Sequence, residues 1–405
     1  MIAERFAPKS VSALSEFVRD CGASGRAIAI EGGNTLHAMG YALSRSAISL
    51  TTVKIDGIIA HEFHDLTCSV RAGTRISAVD AALAAHNQFV PFDVPNRAKA
   101  TVGGSLAAGW LGARRHLYGR TRDLLIGTQT VLADASIVNA GGMVVKNVTG
   151  YDMSKLYAGS FGTLGIIVQA NFKTLPLPPQ RRALIAPLPE HTRARAASQL
   201  AAMAVTPAAA FCLEGFRKNV DGEDGIDGRM LLVLEGSSAL VDRATRDIRS
   251  ALGRAGVPDT RVIDAGAQGL LESAIDAATA ELGERSITFR VLADAVDVEE
   301  RARNARDLAH RYELFTDVLF DVMNGDLFLR VSERDSRVFA EKIERFDDEF
   351  RTFAPRRTIV AGRAPIMQHL DPWGAPPAAL EKMRAMKARF DPQELFNPGR
   401  FVGGI

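Results

Sequence analysis

The glycines of this chain are crowded into one stretch, and that crowding limits what the chain can fold into. Twelve of the 35 glycines lie between Gly103 and Gly165. Glycine loses more backbone entropy on folding than any other residue, so this density is costly unless the backbone turns sharply or approaches a ligand closely. Strand-like pieces, IGTQTVLAD (126–134) and GIIVQANF (165–172), alternate with these glycines. We therefore expect a folded cradle for a bulky anionic ligand rather than a linker.

Length and charge exclude several classes of protein. A chain of 405 residues predicts two or three domains, and a net charge of +2 is too small for a nucleic-acid-binding surface. No apolar run approaches the 18 or so residues of a membrane span, and the N-terminus MIAERFAPKS lacks the apolar region of a signal peptide. We expect a cytoplasmic protein without a direct membrane span, peripheral to the inner membrane only through partner subunits.

The cysteines and histidines argue against redox centres made of protein ligands. Cys21, Cys68 and Cys212 are far apart, which predicts free thiols in a reducing compartment and excludes an iron–sulfur cluster held by this chain alone. His61 and His64 in HEFH lie in a strand-like context, where residues three apart point to opposite faces. We predict a solvated turn there, and no metal site.

The N-terminal part of the chain predicts a second glycine turn. Residues 10–21 have helical spacing behind Ser10 as a candidate N-cap, and RAIAI (26–30) then reads as a buried strand. The strand runs into Glu31-Gly32-Gly33-Asn34-Thr35, where positive φ angles are accessible. From these residues alone, a surface turn and a ligand-binding turn are equally good interpretations.

The C-terminal half of the chain has a different sequence pattern. Residues 176–189 contain five of the 17 prolines and mark a boundary. From about 180 to 350, strands and helices alternate as β-α-β-β-α and then repeat that order, which predicts an antiparallel sheet covered by helices and suggests an internal duplication. The predicted fold is α+β: a glycine-rich ligand-binding domain (1–178), an α+β cap domain (179–350) and a C-terminal segment that packs against another domain (351–405).

Common nucleotide and hydrolase signatures are absent. GSFGTLG (159–165) precedes a strand and has the wrong spacing for a G-x-G-x-x-G dinucleotide fingerprint. Neither a Walker loop nor G-x-S-x-G occurs in the sequence. What remains is a site assembled from separate turns, in which EGGNT, ATVGG and GTLGII offer backbone N–H groups to a diphosphate.

These segments resemble a known family. RAIAIEGGNTL, VRAGTRISAV, PFDVPNRAKATVGGSLAAG, YGRTRDLLIGTQTVLADASIV and GYDMSKLYAGSFGTLGII occur in the order found in FAD-binding domains of the vanillyl-alcohol oxidase/p-cresol methylhydroxylase type. The tail FDPQELFNPGRF resembles the C-terminal segment of that superfamily, which folds back onto the flavin domain. The resemblance covers about 230 residues. It implies that 1–178 is the two-part FAD-binding domain of this type and that 351–405 returns to it.

The resemblance also implies which residues hold the cofactor. It places a first pyrophosphate turn at 31–36, a second at 101–104, and a closing segment over the adenine and ribose at 162–167. The implied FAD-binding residues are Glu31, Gly32, Gly33, Asn34, Thr35, Leu36, Thr101, Val102, Gly103, Gly104, Ala108, Gly109, Tyr118, Gly119, Gly162, Thr163, Gly165, Ile166, Ile167 and Asn397. The resemblance also implies that Gly112 supports the second turn and that Arg120 lies near the flavin with Tyr118 and Gly119. Lys146, Asn147, Gly150, Tyr151 and Asp152 resemble the lead-in to the last strand.

Departures from the family pattern bear on how FAD is attached. Relatives often have Arg-Gly-Gly-Gly in the first turn, followed by His in members that bind flavin covalently. Here Glu31 replaces the Arg, Asn34 the third glycine, and Thr35 stands where the His would be. Asn tolerates positive φ, so the turn is preserved. Thr has no ring nitrogen for a flavin bond, so we expect non-covalent FAD.

The second domain lacks the histidines of single-chain 2-hydroxyacid dehydrogenases. Where those enzymes have a His-x-Gly-Asp-Gly-Asn-x-His-like strand, this chain has Met323-Asn324-Gly325-Asp326, and Arg363 stands where another His is expected. The whole pattern most resembles the FAD-binding subunits of bacterial glycolate oxidase complexes. That resemblance implies a 2-hydroxy acid substrate and two partners, a catalytic FAD subunit and an iron–sulfur subunit.

Three hypotheses about function follow. The first is an FAD subunit that contributes to oxidation of glycolate to glyoxylate with a non-NAD acceptor. The others are a self-sufficient FAD-dependent D-2-hydroxyacid (lactate-type) dehydrogenase and a non-catalytic electron-relay or structural subunit. Arg363 and His369 are the candidates for carboxylate clamp and base, although each has an ordinary surface role as the alternative.

Overall fold

The computed structural model describes residues 2–144, 150–216, 228–257, 259–368 and 370–405. The predicted contributions of Lys146, Asn147 and His369 therefore lie outside the described residues. The strands are β1 Ile2–Phe6, β2 Ala27–Glu31, β3 Ala47–Thr51, β4 Ile58–Glu62, β5 Thr67–Arg71, β6 Gln88–Phe89, β7 Leu125–Val131, β8 Ile137–Gly141, β9 Ile166–Lys173, β10 Leu175–Pro176, β11 Gln180–Pro187, β12 Ala209–Glu214, β13 Arg229–Gly236, β14 Arg261–Ile263, β15 Ser286–Leu292, β16 Phe315–Asp321, β17 Asp326–Ser332 and β18 Arg357–Ala361.

The helices alternate with these strands. They are α1 Val11–Ser24, α2 Ile76–Ala84, α3 Val102–Ala108, α4 Arg115–Tyr118, α5 Ser154–Tyr157, α6 Glu190–Ala201, α7 Ser238–Arg254, α8 Ala267–Thr279, α9 Val298–Arg311, α10 Ser336–Phe353, α11 Ala364–Met367 and α12 Leu380–Phe390. The chain divides into two compact units. The first unit is 1–112, 119–177 and 376–405, and the second unit is 113–118 and 178–375.

The first unit combines two larger sheets with the two-stranded antiparallel sheet β10-β6. A parallel sheet has the order β1-β3-β2, and an antiparallel sheet has the order β4-β5-β9-β7-β8. Helix α1 begins as predicted, because the Ser10 side chain accepts a hydrogen bond from Ala13 N and Gly25 ends the helix at φ 66°. The C-terminal tail is part of this unit, since Phe396 pairs with Ile28 of β2. Leu14, Val168 and Phe396 share one buried core, which joins the helix, the antiparallel sheet and the tail.

The second unit is an eight-stranded antiparallel sheet with helices. Its order is β14-β11-β13-β12-β16-β17-β15-β18. The run β11-β13-β12 is repeated in reverse by β16-β17-β15, so two β-α-β-β-α halves meet at the β12–β16 pair. This symmetric order supports the internal repeat suggested by the sequence pattern. The predicted α+β fold class is confirmed, while α8 was not anticipated.

The two faces of this sheet differ in chemistry. On β15 and β17, alternate residues such as Ile287, Phe289 and Leu329 pack into one apolar core with the helices. The residues between them include Arg290 and Arg330, which are also buried. This alternation separates an apolar layer on one face from a charged one on the other. In the described part of the chain, no helix is long and apolar enough to cross a membrane.

Candidate functional site

The first glycine turn follows β2 and touches a second loop. An ideal Cβ on Gly33 would lie 1.8 Å from the carbonyl oxygen of Lys99, and one on Gly32 would lie 2.3 Å from Thr101 Oγ1. Only glycine permits so close an approach between these two pieces of backbone. Asn34 has a φ of 55°, as expected for an Asn in place of a third glycine. All six residues from Glu31 to Leu36 line one cleft.

The backbone of this turn is available to a ligand. Among the described residues, the N–H groups of Gly32, Gly33, Asn34 and Thr35 donate no hydrogen bond to the protein. Successive unpaired N–H groups in a turn form a concave site for an anion. The turn can therefore hold phosphate oxygens with little side-chain charge.

The second turn, 101–104, contributes close packing to the cleft more than free hydrogen-bond donors. Thr101 caps α3, accepting a hydrogen bond from Gly104 N at 3.3 Å. The N–H groups of Val102 and Gly103 already donate to the carbonyl oxygens of Thr74 (3.0 Å) and Ala72 (2.8 Å). Val102 itself is fully buried behind the cleft. The glycines let α3 come close to the first turn, and Gly104 N is the most accessible donor because its own bond is long.

Asn397 connects the third wall of the cleft to the C-terminal tail. Its Oδ1 accepts from Ile30 N (2.8 Å) and its Nδ2 donates to Phe161 O (2.7 Å). The side chain is 4% exposed, so both bonds are protected from water. Gly162 leaves room for this amide, since a Cβ there would lie 3.0 Å from Nδ2. One residue thus holds the end of β2 and the 161–162 turn together.

A buried ion pair supports the same region from behind. Lys387 Nζ donates to Asp391 Oδ2 (2.6 Å), Thr163 O (3.0 Å) and Phe396 O (2.9 Å). Asp391 in turn accepts from the N–H groups of Leu395 and Phe396. Burial lowers the pKa of Lys387, and the Asp391 carboxylate opposes that effect. All three Lys387 donors are used, as a buried ammonium requires.

We call the space between these walls the glycine cleft. Its lining residues are Ile30, Glu31, Gly32, Gly33, Asn34, Thr35, Leu36, His37, Thr52, Thr101, Gly103, Gly104, Ser105, Ala107, Ala108, Phe161, Gly162, Gly165, Ile166, Ile167, Asn397 and Arg400. The structure therefore brings together most of the residues predicted from the resemblance. It places Val102 and Thr163 in the packing behind the cleft.

Arg400 is a cleft residue that the sequence analysis missed. Its Nη2 donates to His37 O at 2.7 Å. Burial lowers the pKa of its guanidinium, and Glu31 opposes that effect. The signal that could have found it is its place three residues after Asn397, in the tail already expected to return to this domain. Arg400 gives the cleft a positive charge suited to a phosphate.

Three predicted residues lie elsewhere. Gly109 ends α3 at φ 63°, where a Cβ would come within 2.8 Å of Gly159 Cα. Gly119, at φ 78°, begins the return of the chain to the first unit. Tyr118 belongs to the second unit, where its hydroxyl donates to Glu235 Oε2 at 2.6 Å. Flavin contact by these three stays a prediction.

The second unit holds a network of buried charges, which we call the charged layer. Its members are Arg114, Arg115, Arg181, Glu235, Arg290, Asp321, Asn324 and Asp326. Glu235 accepts from Arg114 at 2.9 Å and pairs with Arg181. Asp326 is held by Arg290 (3.0 Å) and Arg115 (2.5 Å). Buried carboxylates and guanidiniums are thus matched on this face of the sheet.

Asp321 is unusual within the charged layer. Its carboxylate accepts from Met323 N (2.9 Å), Asn324 N (3.1 Å) and Asn324 Nδ2 (2.7 Å). Burial nevertheless raises its pKa to about 7, with Asp326 adding to the rise and the Asn324 hydrogen bond opposing it. The turn 321–326 is therefore organised around the carboxylates of Asp321 and Asp326.

This turn coincides with the stretch predicted to lack the dehydrogenase histidines. Asn324 Nδ2 also donates to Ala113 O (2.7 Å), and Asp326 is paired with two arginines. A carboxylate neutralised in this way is a poor metal ligand. Over the described ranges, no group of three or more His, Cys, Asp or Glu side chains could hold a metal ion. Arg363 is exposed before α11, and its proposed role is untested.

The glycine cleft fits FAD. Its N–H groups in the first turn, the close approach at Gly32 and Gly33, and Arg400 suit a diphosphate, and Phe161, Ile166 and Ile167 supply apolar surface for an adenosine. A family model described as an FAD binding domain matches residues 3–154. The structure of p-cresol methylhydroxylase with substrate bound aligns with a TM-score of 0.72 and 16% identity, covering 98% of this chain and 88% of that one. The chain is thus an FAD-binding protein with the p-cresol methylhydroxylase-type fold.

Two curated relatives are more specific. The chain is 25% identical over 417 residues to glycolate oxidase subunit GlcD of Bacillus subtilis (strain 168), covering 97% of this chain and 87% of that protein. It is 33% identical over 152 residues to glycolate oxidase subunit GlcE of Escherichia coli (strain K12), covering 37% of this chain and 43% of that protein. The predictions of FAD and of the p-cresol methylhydroxylase-type fold are confirmed.

Proposed function

We propose that this chain is the FAD-binding subunit of a glycolate oxidase or dehydrogenase complex. In that role it contributes to oxidation of a 2-hydroxy acid, glycolate, to the 2-oxo acid glyoxylate, and electrons leave to an acceptor other than NAD. The observation that carries the proposal is an FAD cleft in a chain that aligns over nearly its whole length with a glycolate oxidase subunit. The complex would operate in the cytoplasm, peripheral to the inner membrane through its partner subunits.

The charged layer supports a role inside a complex. Oxidation of a 2-hydroxy acid requires a group that holds the carboxylate and a base that takes the hydroxyl proton. FAD, when bound, supplies acceptance of the hydride from the α-carbon. At the turn where the single-chain enzymes were expected to have histidines, Asp326 and Asn324 are instead committed to hydrogen bonds and ion pairs. A second FAD subunit with a full catalytic set, and an iron–sulfur subunit for electron exit, would complete the machinery.

FAD is proposed to be non-covalent. Thr35 lines the cleft at the position where a flavin-linked His was expected, and a hydroxyl does not form that linkage. His37 also lines the cleft, but its Nδ1 lies 3.2 Å from Asn34 O in a local turn. Acid precipitation of the purified holoprotein should release all of the yellow colour into the supernatant. Flavin retained in the washed pellet would contradict the proposal.

The decisive experiment is anaerobic reduction of the flavin by glycolate, D-lactate and D-2-hydroxyglutarate. It is run on the isolated chain and on the complex that co-purifies with it. Bleaching at 450 nm only in the complex, fastest with glycolate, supports the subunit role. Rapid bleaching of the isolated chain would instead establish a self-sufficient dehydrogenase. Flavin that stays oxidised in both preparations would leave the electron-relay or structural hypothesis.

Two residues are proposed for substrate handling, and they are tested in the complex. Arg363 is assigned the carboxylate clamp and His369 the base. Arg363→Ala should raise the apparent KM for glycolate at least about tenfold, which corresponds to about 1.4 kcal/mol. Arg356→Ala is the matched control, because Arg356 is also an exposed arginine next to β18. Equal KM values for the two variants would remove Arg363 from the site.

A further inference from the structure

A second cleft adjoins the glycine cleft in the first unit. We call it the arginine cleft, and its lining residues are Ser105, Leu106, Gly109, Trp110, Leu111, Arg120, Thr121, Arg122, Ala158 and Gly159. Ser105 of α3 lines both clefts. A ligand that begins at the glycine turns can therefore continue past α3 without leaving the first unit.

The arginine cleft carries one uncompensated positive charge. Arg120 is neutralised by Asp123, which accepts from Arg120 Nε (3.0 Å), Nη2 (3.2 Å) and the backbone N (3.0 Å). The remaining lining residues other than Arg122 are uncharged. Arg122 also acts electrostatically on Asp123, but Asp123 is already bound to Arg120. The net charge of the cleft is thus that of Arg122.

Arg122 is poised to donate to a ligand. Its Nε is buried and has no hydrogen-bond partner in the described part of the chain. A buried donor without a partner costs free energy, which is recovered when a ligand supplies an acceptor. The neighbouring backbone is open to a flat ligand, since Gly109 and Gly159 have no side chains and Trp110 adds an aromatic wall.

We propose that Arg122 donates a hydrogen bond to the flavin ring of bound FAD and raises the reduction potential of the cofactor. The inference rests on FAD as the ligand of the adjoining glycine cleft and not on the identity of the substrate. A flavin gains negative charge on reduction, and a nearby cation stabilises that charge more than it stabilises the oxidised ring. Arg122 is therefore a flavin-contacting residue that sets how readily the chain accepts electrons.

The test compares the FAD-loaded full-length chain with three variants. Arg122→Met removes the charge, Arg122→Lys keeps it with a different geometry, and Arg71→Met removes another half-buried arginine of the first unit, one that donates to Gln169. Two properties of the flavin are measured: the two-electron reduction potential against a reference dye and the dissociation constant for sulfite, which adds to electron-poor flavins. Neither measurement requires a substrate or a partner subunit.

The expected result is specific to charge. Arg122→Met should weaken sulfite binding at least about tenfold and lower the reduction equilibrium constant by about tenfold, which is about 30 mV for two electrons. Arg122→Lys should recover most of both, and Arg71→Met should match the wild type. Should Arg122→Met fail to hold FAD, Arg122→Gln takes its place, since it also removes the charge but keeps hydrogen-bond donors. A wild-type potential and wild-type sulfite binding in the charge-removing variant would overturn the proposal, including the case in which only the KM for substrate rises.

Discussion

The glycine cleft and the charged layer solve the problem of burying polar groups in opposite ways. The glycine cleft keeps backbone N–H groups of the first turn unpaired, so that a ligand can complete them. In the charged layer, the charged groups pair with one another: the carboxylates of Glu235 and Asp326 each pair with two arginines. The comparison teaches that an open set of donors indicates binding, whereas a closed set of ion pairs indicates structure.

The tolerance to substitution should differ accordingly. In the glycine cleft, steric contact between two pieces of backbone leaves no room for a side chain. In the charged layer, Glu235 and Asp326 each depend on arginines far away in the sequence. Four predictions test this contrast.

Gly33→Ala should abolish FAD binding. The new Cβ would lie 1.8 Å from Lys99 O, so one of the two loops must move. We expect FAD affinity to fall at least about 100-fold, or about 2.7 kcal/mol, as measured by flavin fluorescence titration. Gly142→Ala in the same unit is the control, because its Cβ would meet nothing within 4 Å. Normal FAD affinity in the Gly33 variant would show that the turn is not part of the cofactor site.

Asp326→Ala should destabilise the second unit while sparing FAD. It leaves Arg290 and Arg115 without their shared carboxylate, and breaking a buried pair costs about 3–5 kcal/mol. Neither arginine lines the glycine cleft, so the FAD dissociation constant should change less than about threefold. The measurements are urea unfolding and fluorescence titration. Glu313→Gln, which alters an exposed pair with Lys342, should cost less than about 1 kcal/mol.

If Asp326→Ala loses much of its affinity for FAD while the second unit stays folded, the contrast between the glycine cleft and the charged layer would be wrong. It would mean that the charged layer shapes the cofactor site as well as the sheet.

Substitutions of Asn397 can separate the contributions of its two side-chain hydrogen bonds to stability. Asn397→Asp keeps an acceptor for Ile30 N but loses the donor to Phe161 O, whereas Asn397→Gly loses both and tolerates the φ of 45°. Each buried bond removed should cost about 1–3 kcal/mol of unfolding free energy. Calorimetry of the apoprotein measures this cost. The same unfolding free energy in both variants as in the wild type would show that these two side-chain hydrogen bonds do not hold the tail.

Asp321 should make stability depend on pH. Its pKa is raised to about 7 in the folded chain, so the folded state binds a proton that the unfolded state releases near pH 4. The contribution of Asp321 to the free energy of unfolding is then largest below pH 4. It falls by roughly 2–4 kcal/mol as the pH rises from about 4 to about 7. Asp321→Asn should flatten that part of the urea-unfolding profile relative to the wild type. A profile of unchanged slope would mean that Asp321 is ionised throughout.

Local sequence patterns predicted the elements well where one signal dominates. Ser10 and Gly25 bound α1 because capping chemistry is local, and the alternation of SITFRVL (286–292) marks β15 because a strand face repeats every second residue. Helix α8 was missed, since its Ala-rich sequence packs on the charged side of the sheet with little periodic contrast. Arg400 was missed because an arginine in a turn-rich tail has no local signature.

The sequence alone predicted an anionic ligand, because glycines such as Gly32, Gly33 and Gly103 are costly unless the backbone approaches a ligand closely. The resemblance of five ordered segments and the tail to a known family then implied FAD. The donors that remain open for the cofactor are visible only in the fold. The N–H groups of Val102 and Gly103 donate to carbonyl oxygens of the protein, whereas those of residues 32–35 do not. Each hydrogen bond needs a donor and an acceptor, and the acceptor lies on a strand or loop that is distant in sequence. Local sequence patterns therefore do not identify it.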